Sequence, residues 1–252
     1  MTTATTVPRR RAPMPLHRRA SIAGGSLYLL TFVSIPTFAL YAAVKADPAW
    51  VAGAGPDAPV IVGGVLELIV ALACIGTGVA LYPVVKLHSS SRALGFVAAR
   101  TLEAAAIFAG VVALMSIVTL RQAEVGQDAL VPAQSLLAQH TWTTLFGQGM
   151  VPALNAFLLG SIMYRSRLIP RVLPLFGFIG APLLIIADIG TLFGAWGPVS
   201  PVAGAAALFL SIWEFGMGAW LVIRGFNADA IRRLTDPGRN LATDASTIGN
   251  AS

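Results

Sequence analysis

The sequence has little charge, one cysteine and few histidines. Asp, Glu, Lys and Arg make up only 11% of the chain, whereas soluble domains carry about 25%. The single cysteine, Cys74, lies in an apolar run, which excludes an intramolecular disulfide and a cysteine-based metal motif. We expect Cys74 to be a buried free thiol. Because His17, His88 and His140 are far apart in the sequence, no histidine metal cluster is predicted.

Motifs of catalysis and nucleotide binding are also missing. The chain has no G-x-S-x-G elbow, no P-loop, no H-E-x-x-H pair and no Rossmann fingerprint in a strand-to-helix setting. Its net charge of +6 does not indicate nucleic-acid binding, because the basic residues flank apolar segments and no nucleic-acid-binding motif accompanies them. The sequence therefore predicts no cofactor, no metal and no nucleic-acid partner, and it supports no particular enzyme.

Long apolar runs are what the sequence does contain. Hydrophobic residues make up 56% of the chain, and the mean hydropathy is +0.76. A membrane-spanning helix needs about 20 apolar residues. Six segments meet this requirement: 20–44, 60–85, 93–120, 142–164, 172–193 and 202–223. We predict an all-α, six-helix transmembrane bundle over residues 20–224, with a disordered basic tail at 1–19 and a second disordered tail at 225–252.

Two segments need a choice between interpretations. The apolar run at 20–44 is longer than the roughly 7–15 residues of a signal-peptide core, so we expect an uncleaved first helix. Residues 121–141 are predicted to form either a short interfacial helix or an extension of the fourth span. His140 lies near the start of that span, and we expect it to be a solvated histidine at the membrane interface.

The basic residues predict the orientation. Of the 17 Lys and Arg residues, fourteen lie in the tails and in the second-to-third and fourth-to-fifth connections. Only Lys45 and Arg121 lie in the opposite set of loops, and Arg100 falls inside a span. The positive-inside rule then places both termini in the cytoplasm, and we expect the protein in the plasma membrane.

Five ionisable residues fall inside predicted spans, namely Glu67, Arg100, Glu103, Asp188 and Glu214. A charge at the bilayer centre costs at least roughly 2.5–3.5 kcal/mol, so such residues usually face the bundle interior, pair with one another or mark a solute path. Arg100 and Glu103 are three residues apart and are predicted to pair on their own helix. Glu67 and Asp188 have no evident cationic partner, and we expect them to be protonated at neutral pH.

Small and polar residues at helical spacing predict which faces point inward. Residues three, four or seven apart share a face, and small residues let membrane helices approach closely. Four stripes fit this pattern: Gly63, Glu67, Ala71, Cys74 and Gly78; Thr144, Gln148 and Asn155; Ala181, Asp188 and Thr191; and Ala207, Ser211, Glu214 and Gly218. Prolines 36, 83, 152, 174 and 182 predict kinks within or at the ends of spans. A three-plus-three inverted repeat is not favoured, because Glu67 and Asp188 both lie toward the predicted outer face.

Four passages together resemble a known family. They are VLELIVALACIGTGVALYPVV at 65–85, ARTLEAA at 99–105, LIPRVLPLFGFIGAP at 168–182 and WEFGMGAWLVIRGF at 213–226. In order and spacing they resemble the bacterial membrane family catalogued as domain of unknown function 4386, across nearly all of residues 20–226. The resemblance implies a multi-helix bacterial integral membrane protein and brings no activity or substrate with it.

Two functional interpretations stay open at this point. In the first, the protein is a small transporter or permease-like protein, proton-coupled, with the lipid bilayer, a proton and a small solute as its partners. Its candidate polar site comprises Glu67, Arg100, Glu103, Asn155, Asp188 and Glu214. In the second, the same groups are interhelical clamps in a membrane scaffold or sensor that acts through a partner protein. An intramembrane enzyme acting on lipid ranks third.

Overall fold

The computed structural model describes residues 14–47, 49–53, 55–198 and 200–236, and these residues are helical with no strand. Short 3-10 turns at Thr31–Ser34, Trp50–Ala52 and Gly126–Ala129 and a π-helical segment at Leu145–Met150 interrupt or extend the α-helices. The α-helices are α1 (Leu16–Leu30), α2 (Thr37–Leu40), α3 (Ala42–Ala46), α4 (Ala58–Val85), α5 (Ser90–Gln122), α6 (Leu130–Thr144), α7 (Val151–Ser166), α8 (Val172–Leu192), α9 (Pro201–Ile223) and α10 (Ala228–Thr235).

Within the described part of the chain, six helical stretches are long and apolar enough to cross a membrane, which confirms the predicted all-α, six-helix architecture. They are span 1 (Leu16–Leu40), span 2 (Ala58–Val85), span 3 (Ser90–Gln122), span 4 (Gly126–Ser166), span 5 (Val172–Leu192) and span 6 (Pro201–Ile223). The cytoplasmic location of the termini stays a prediction.

The six spans form a closed ring. Each span packs against its neighbours in sequence, and the first span packs against the last through α1 and α9. Glycines set the closest approaches between these helices. A Cβ added to Gly25 would lie 2.7 Å from the backbone oxygen of Gly218, and one added to Gly180 would lie 2.7 Å from the backbone nitrogen of Leu210. Small residues therefore bring neighbouring backbones together, as membrane helices require.

The outward faces of the spans are apolar. On α4 the exposed side chains include Val62, Val65, Leu72 and Val79, whereas the whole predicted small-residue stripe around Glu67 is buried. Large exposed hydrophobic side chains also cover the outsides of the other spans, for example Leu102, Val112 and Ile186. Such a surface is unfavourable in water and suits a hydrocarbon environment.

Spans 1 and 4 have different bounds from those predicted. Span 1 begins at Leu16 and is broken by a 3-10 turn before Pro36, because proline supplies no backbone N–H for a continuous helix. Of the two interpretations of residues 121–141, the structure agrees with the extension of span 4 for residues 126–141, since one helical stretch runs from Gly126 to Ser166, whereas residues 121 and 122 end α5. Its 41 residues measure roughly 60 Å, about twice the thickness of a hydrocarbon core.

The predicted disordered tail at 225–252 is wrong for residues 225–236. Residues 228–235 form α10, with Asn227 as N-cap accepting from the backbone N–H groups of Asp229 and Ala230. Phe226, Ala230 and Ile231 are buried against the bundle, which gives this short charged helix one apolar face. Within the predicted tail 1–19, residues 16–19 belong to α1, while residues 1–13 and 237–252 lie outside the described part of the chain.

Candidate functional site

Arg100 is the centre of the polar interior. Its Nη1 donates to Glu103 Oε1 at 3.1 Å and Oε2 at 2.9 Å, which confirms the predicted pair on α5. Its Nη2 lies 3.4 Å from Glu214 Oε1, across the ring on α9. The guanidinium also lies over the Tyr28 ring of α1, 4.3 Å from its centroid. At 1% exposure, this arginine is held by groups from three spans.

Two further side chains complete this group. Asn155 of α7 donates its amide to Glu103 Oε2 at 2.8 Å. The thiol of Cys74 on α4 lies 3.6 Å from Arg100 Nη1, and it is buried as predicted. We call the six residues the central cluster: Tyr28, Cys74, Arg100, Glu103, Asn155 and Glu214. Spans 1, 2, 3, 4 and 6 each contribute to it, so it joins nearly the whole ring.

The charges of the central cluster do not balance. Two carboxylates share one guanidinium, so full ionisation leaves one negative charge in a low-dielectric interior. Glu103 makes two bonds to Arg100 and accepts a third from Asn155, whereas Glu214 makes one longer contact. The Glu214 side chain is also more exposed, 18% against 8% for Glu103. Glu214 is therefore the less firmly held of the two carboxylates.

A second polar group lies around Glu67, and we call Tyr41, Glu67, His140 and Gln148 the outer cluster. Tyr41 donates its hydroxyl to Glu67 Oε2 at 3.1 Å, and Gln148 Nε2 lies 3.5 Å from Oε1. His140 Nε2 is 3.9 Å from Glu67 Oε2. Glu67 therefore has a histidine neighbour that the sequence did not indicate.

His140 itself corrects a prediction. We expected a solvated interface histidine, but the residue is 1% exposed. Span 4 begins at Gly126, well before the predicted start at 142, so His140 lies within a packed part of the helix. Its ring packs edge-on against Tyr41, with 5.6 Å between the ring centroids. Neither ring nitrogen has a hydrogen-bond partner among the described residues.

Asp188 belongs to neither cluster. It is buried on α8, and its Oδ2 has no hydrogen-bond partner in the described part of the chain. The carboxyl group packs directly against the backbone of Gly149, where an added Cβ would overlap it. Of the six predicted site residues, the structure thus brings together Arg100, Glu103, Asn155 and Glu214. It places Glu67 in a separate cluster and leaves Asp188 alone.

The π-helical segment Leu145–Met150 lies between these polar groups. Gln148 within it contacts Glu67, and Gly149 within it packs on Asp188. Pro152 lies two residues after the segment and lacks the N–H that would bond to the Gln148 carbonyl in a regular α-helix. The wider π turn is a common response to such a lost bond, and π turns occur frequently at functional sites.

The stripe predicted on span 6 is only partly inward. Gly218 is buried, Ser211 and Glu214 are partly exposed, and Ala207 is exposed. The largest buried side chain of α9 is instead Trp213, whose ring packs against Gly177 of α8. This large side chain determines the rotation of the helix and puts Glu214 at the edge of the interface.

Sequence reasoning missed two tyrosines of these clusters. Tyr28 and Tyr41 lie in the predicted first span 20–44, which has no charged residue, and both are 1% exposed. The available signal was weak: each is a hydroxyl-bearing ring in an otherwise apolar stretch, which needs a polar partner when buried. Among the described residues, no group of three or more His, Cys, Asp or Glu is arranged to hold a metal ion.

Comparison with known proteins gives a family. No curated protein and no solved structure gives a significant match to the chain. A family model described as "Domain of unknown function (DUF4386)" matches residues 23–225. The match covers most of the chain and includes both clusters and Asp188, in agreement with the resemblance found in the sequence. The chain therefore belongs to the DUF4386 family.

Proposed function

We propose that the protein is a small proton-coupled transporter of the plasma membrane, in which the central cluster takes up and releases the proton. One observation carries the proposal: two carboxylates of the bundle interior, the buried Glu103 and the partly exposed Glu214, share the single guanidinium of Arg100. Intramembrane ionisable groups of this kind mark proton relays and solute paths in membrane proteins. A cluster with one carboxylate too many has two charge states that differ by one proton.

The two charge states differ in how they hold the ring together. With Glu214 ionised, its contact with Arg100 links α9 to α5 across the interior. Protonation of Glu214 removes the ionic part of this link, while Arg100 keeps its two bonds to Glu103. Proton uptake would therefore loosen span 6 from span 3, which is the kind of helix movement that alternating access uses.

The outer cluster supplies a second proton-accepting group on the predicted outer side. Glu67 and Cys74 are seven residues apart on α4, or about 10 Å along the helix, and Cys74 contacts Arg100. This gap is too long for direct proton transfer, so water or a helix movement must bridge it. The π segment is the candidate moving element, since span 4 supplies Gln148 to one cluster and Asn155 to the other.

A non-transporting scaffold is the second candidate. The observation that favours it is the burial and pairing of Arg100, which is 1% exposed and bonded to two carboxylates. Ion pairs of this kind also serve as interhelical clamps that specify one packing arrangement. In this case the clusters hold the ring together and function lies in a partner protein.

Reconstitution into liposomes tests the proposal. A potassium gradient with valinomycin sets an inside-negative potential, and an enclosed pH-sensitive dye reports proton entry with and without a panel of small organic cations. We expect wild-type liposomes to show faster, solute-dependent proton movement than empty liposomes. Glu214→Gln should abolish the solute dependence, whereas Asp128→Asn, which removes an exposed carboxylate at the end of span 4, should preserve it.

Two outcomes contradict transport. In the first, the Glu103→Gln/Glu214→Gln double variant moves protons as fast as wild type. The central cluster would then have no role in transport. Wild-type liposomes that behave as empty ones for every solute, together with a partner that co-purifies at fixed stoichiometry, would favour the scaffold.

A further inference from the structure

A basic cavity lies at the end of the bundle that the positive-inside rule predicts to be cytoplasmic. It occupies about 510 Å³ between the α7–α8 connection and the end of α9. Its lining includes Arg167, Arg171 and Arg224 and contains no acidic residue. None of the ion pairs formed among the described residues involves these three arginines. The cavity is therefore a concentrated positive site of a size that small ligands occupy.

An apolar groove continues from this cavity along the outside of the bundle. It occupies about 320 Å³ between α8 and α9, and Leu173, Gly216 and Ala219 are among its lining residues. Pro170, Trp220 and Arg224 line both the cavity and the groove, so the two form one continuous surface. The end near the helix termini is basic, and the part that runs along the spans is apolar.

We propose that this surface binds one anionic phospholipid, with its phosphate in the cavity and an acyl chain in the groove. Guanidinium groups match phosphate oxygens in charge and in bidentate geometry. Basic pockets between helices on the cytoplasmic side are suited to anionic headgroups, and the cytoplasmic leaflet carries such lipids. Trp220 lies where the two parts meet, near the end of α9, and tryptophans are enriched at such helix ends in membrane proteins. The inference is independent of the proposed transport function.

Arg167 offers a way to separate binding from folding. It ends α7 with a φ of 57°, in the left-handed region that favours glycine over residues with a side chain. Arg167→Gly removes the guanidinium while giving the backbone a residue better suited to this position. We expect thermal stability to be maintained or raised while lipid binding falls, and a purely structural role for Arg167 predicts no such separation.

Native mass spectrometry of the full chain in detergent measures the binding. Phosphatidylglycerol and phosphatidylcholine with identical acyl chains are added in a concentration series, and inorganic phosphate serves as a lipid-free anion. We expect a single tight site for phosphatidylglycerol, with Arg167→Gly and Arg224→Gln each weakening it about fivefold. Ala219→Leu, which fills the groove, should also weaken it. Arg165→Gln is the matched control, since Arg165 lies in the same segment but does not line the cavity.

Each alternative result overturns the proposal. If phosphatidylcholine bound as tightly as phosphatidylglycerol, the site would not distinguish lipids by the charge of the headgroup. If Arg165→Gln and Arg167→Gly lowered the affinity for phosphatidylglycerol equally, the binding would depend on the general surface charge and not on the cavity. Displacement of the lipid by millimolar phosphate, with no effect of Ala219→Leu, would make the cavity a site for free anions.

Discussion

Asn155 donates its side-chain amide to Glu103 Oε2 at 2.8 Å, and it thereby joins span 4 to the carboxylate that pairs with Arg100. Glu103 is consequently the best-satisfied acid of the interior, with donors from two spans. The same arrangement leaves Glu214 with a single contact of 3.4 Å to Arg100. Asn155 thus contributes to the difference between the two carboxylates, although it carries no charge itself.

Replacing Arg100 should be the most destabilising change in the central cluster. Arg100→Gln leaves Glu103 buried without its cation, and we expect a loss of about 3–5 kcal/mol in the free energy of unfolding. The double variant Arg100→Gln/Glu103→Gln removes both charges and should recover part of that loss. Denaturant titration of the protein in detergent measures each value. Additive losses in the double variant would show that the two residues are not coupled.

Asn155→Ala should destabilise the protein by about 1.5–3 kcal/mol, because it removes a buried hydrogen bond to the carboxyl group that pairs with Arg100. Asn155→Asp should cost more, since it brings a third carboxylate next to Glu103. The same denaturant titration compares the two variants. A smaller loss for Asn155→Asp than for Asn155→Ala would contradict the charge distribution given for this cluster.

Gly149 should not tolerate a side chain while Asp188 is present. The added methyl group of Gly149→Ala overlaps the Asp188 carboxyl group, and we expect a loss of about 1–3 kcal/mol. Asp188→Ala should suppress this loss in the double variant. Gly204→Ala on α9 is the control, because no atom lies near its added Cβ and alanine favours helix by about 0.5–1 kcal/mol. Thermal unfolding in detergent distinguishes these variants.

His88, in the short connection between α4 and α5, should make stability depend on pH. Partial burial, and then the positive charges of Arg92 and Arg165, lower the pKa of His88 below its ordinary value of 6.5. The unfolded chain therefore binds the proton more readily, so this group lowers stability as pH falls below about 6.5. His88→Gln should reduce the drop in thermal midpoint between pH 7.5 and pH 5. If the decrease in thermal midpoint were the same in His88→Gln as in wild type, His88 would not contribute to the pH dependence of stability.

Cysteine labelling in cells tests the predicted orientation. The native Cys74 is buried, so wild type should resist a membrane-impermeant maleimide. Ser90→Cys, at the start of α5, should also resist it in intact cells and react only after lysis. Gln127→Cys, in the connection between α5 and α6, should react in intact cells. The opposite pattern would invert the orientation and move the basic cavity to the outer face.

The sequence was informative about spans because length and apolarity determine whether a helix suits a bilayer, and these are local properties. The Arg100–Glu103 pair was predictable for the same reason, since two residues three positions apart on one helix are close through local geometry alone. Glu214 as the second partner of Arg100 was not predictable, because it depends on how α5 and α9 face each other across the ring.

The errors have related physical causes. Ala207 is exposed because Trp213 determines the rotation of α9, and packing of one large ring cannot be read from the spacing of small residues. His140 is buried because span 4 begins at Gly126, well before the apolar segment 142–164 from which the span was predicted. Tyr41 meets Glu67 beyond the point where span 1 breaks before Pro36, and the spacing of apolar residues does not reveal the direction that the chain takes after such a break.

The packing of α1 against α9 has a consequence for biosynthesis. Gly25 and Gly218, whose backbones meet, are separated by most of the chain, and Arg18 donates to the carbonyl groups of Leu221 and Val222. At about 5–20 residues per second, the ribosome needs roughly 10–40 s to go from one glycine to the other. During that interval the glycine face of the predicted first membrane helix lacks its final neighbour. Closing the ring is therefore a late step, and a nascent chain that stalls before α9 presents an open surface to other membrane proteins and to proteases.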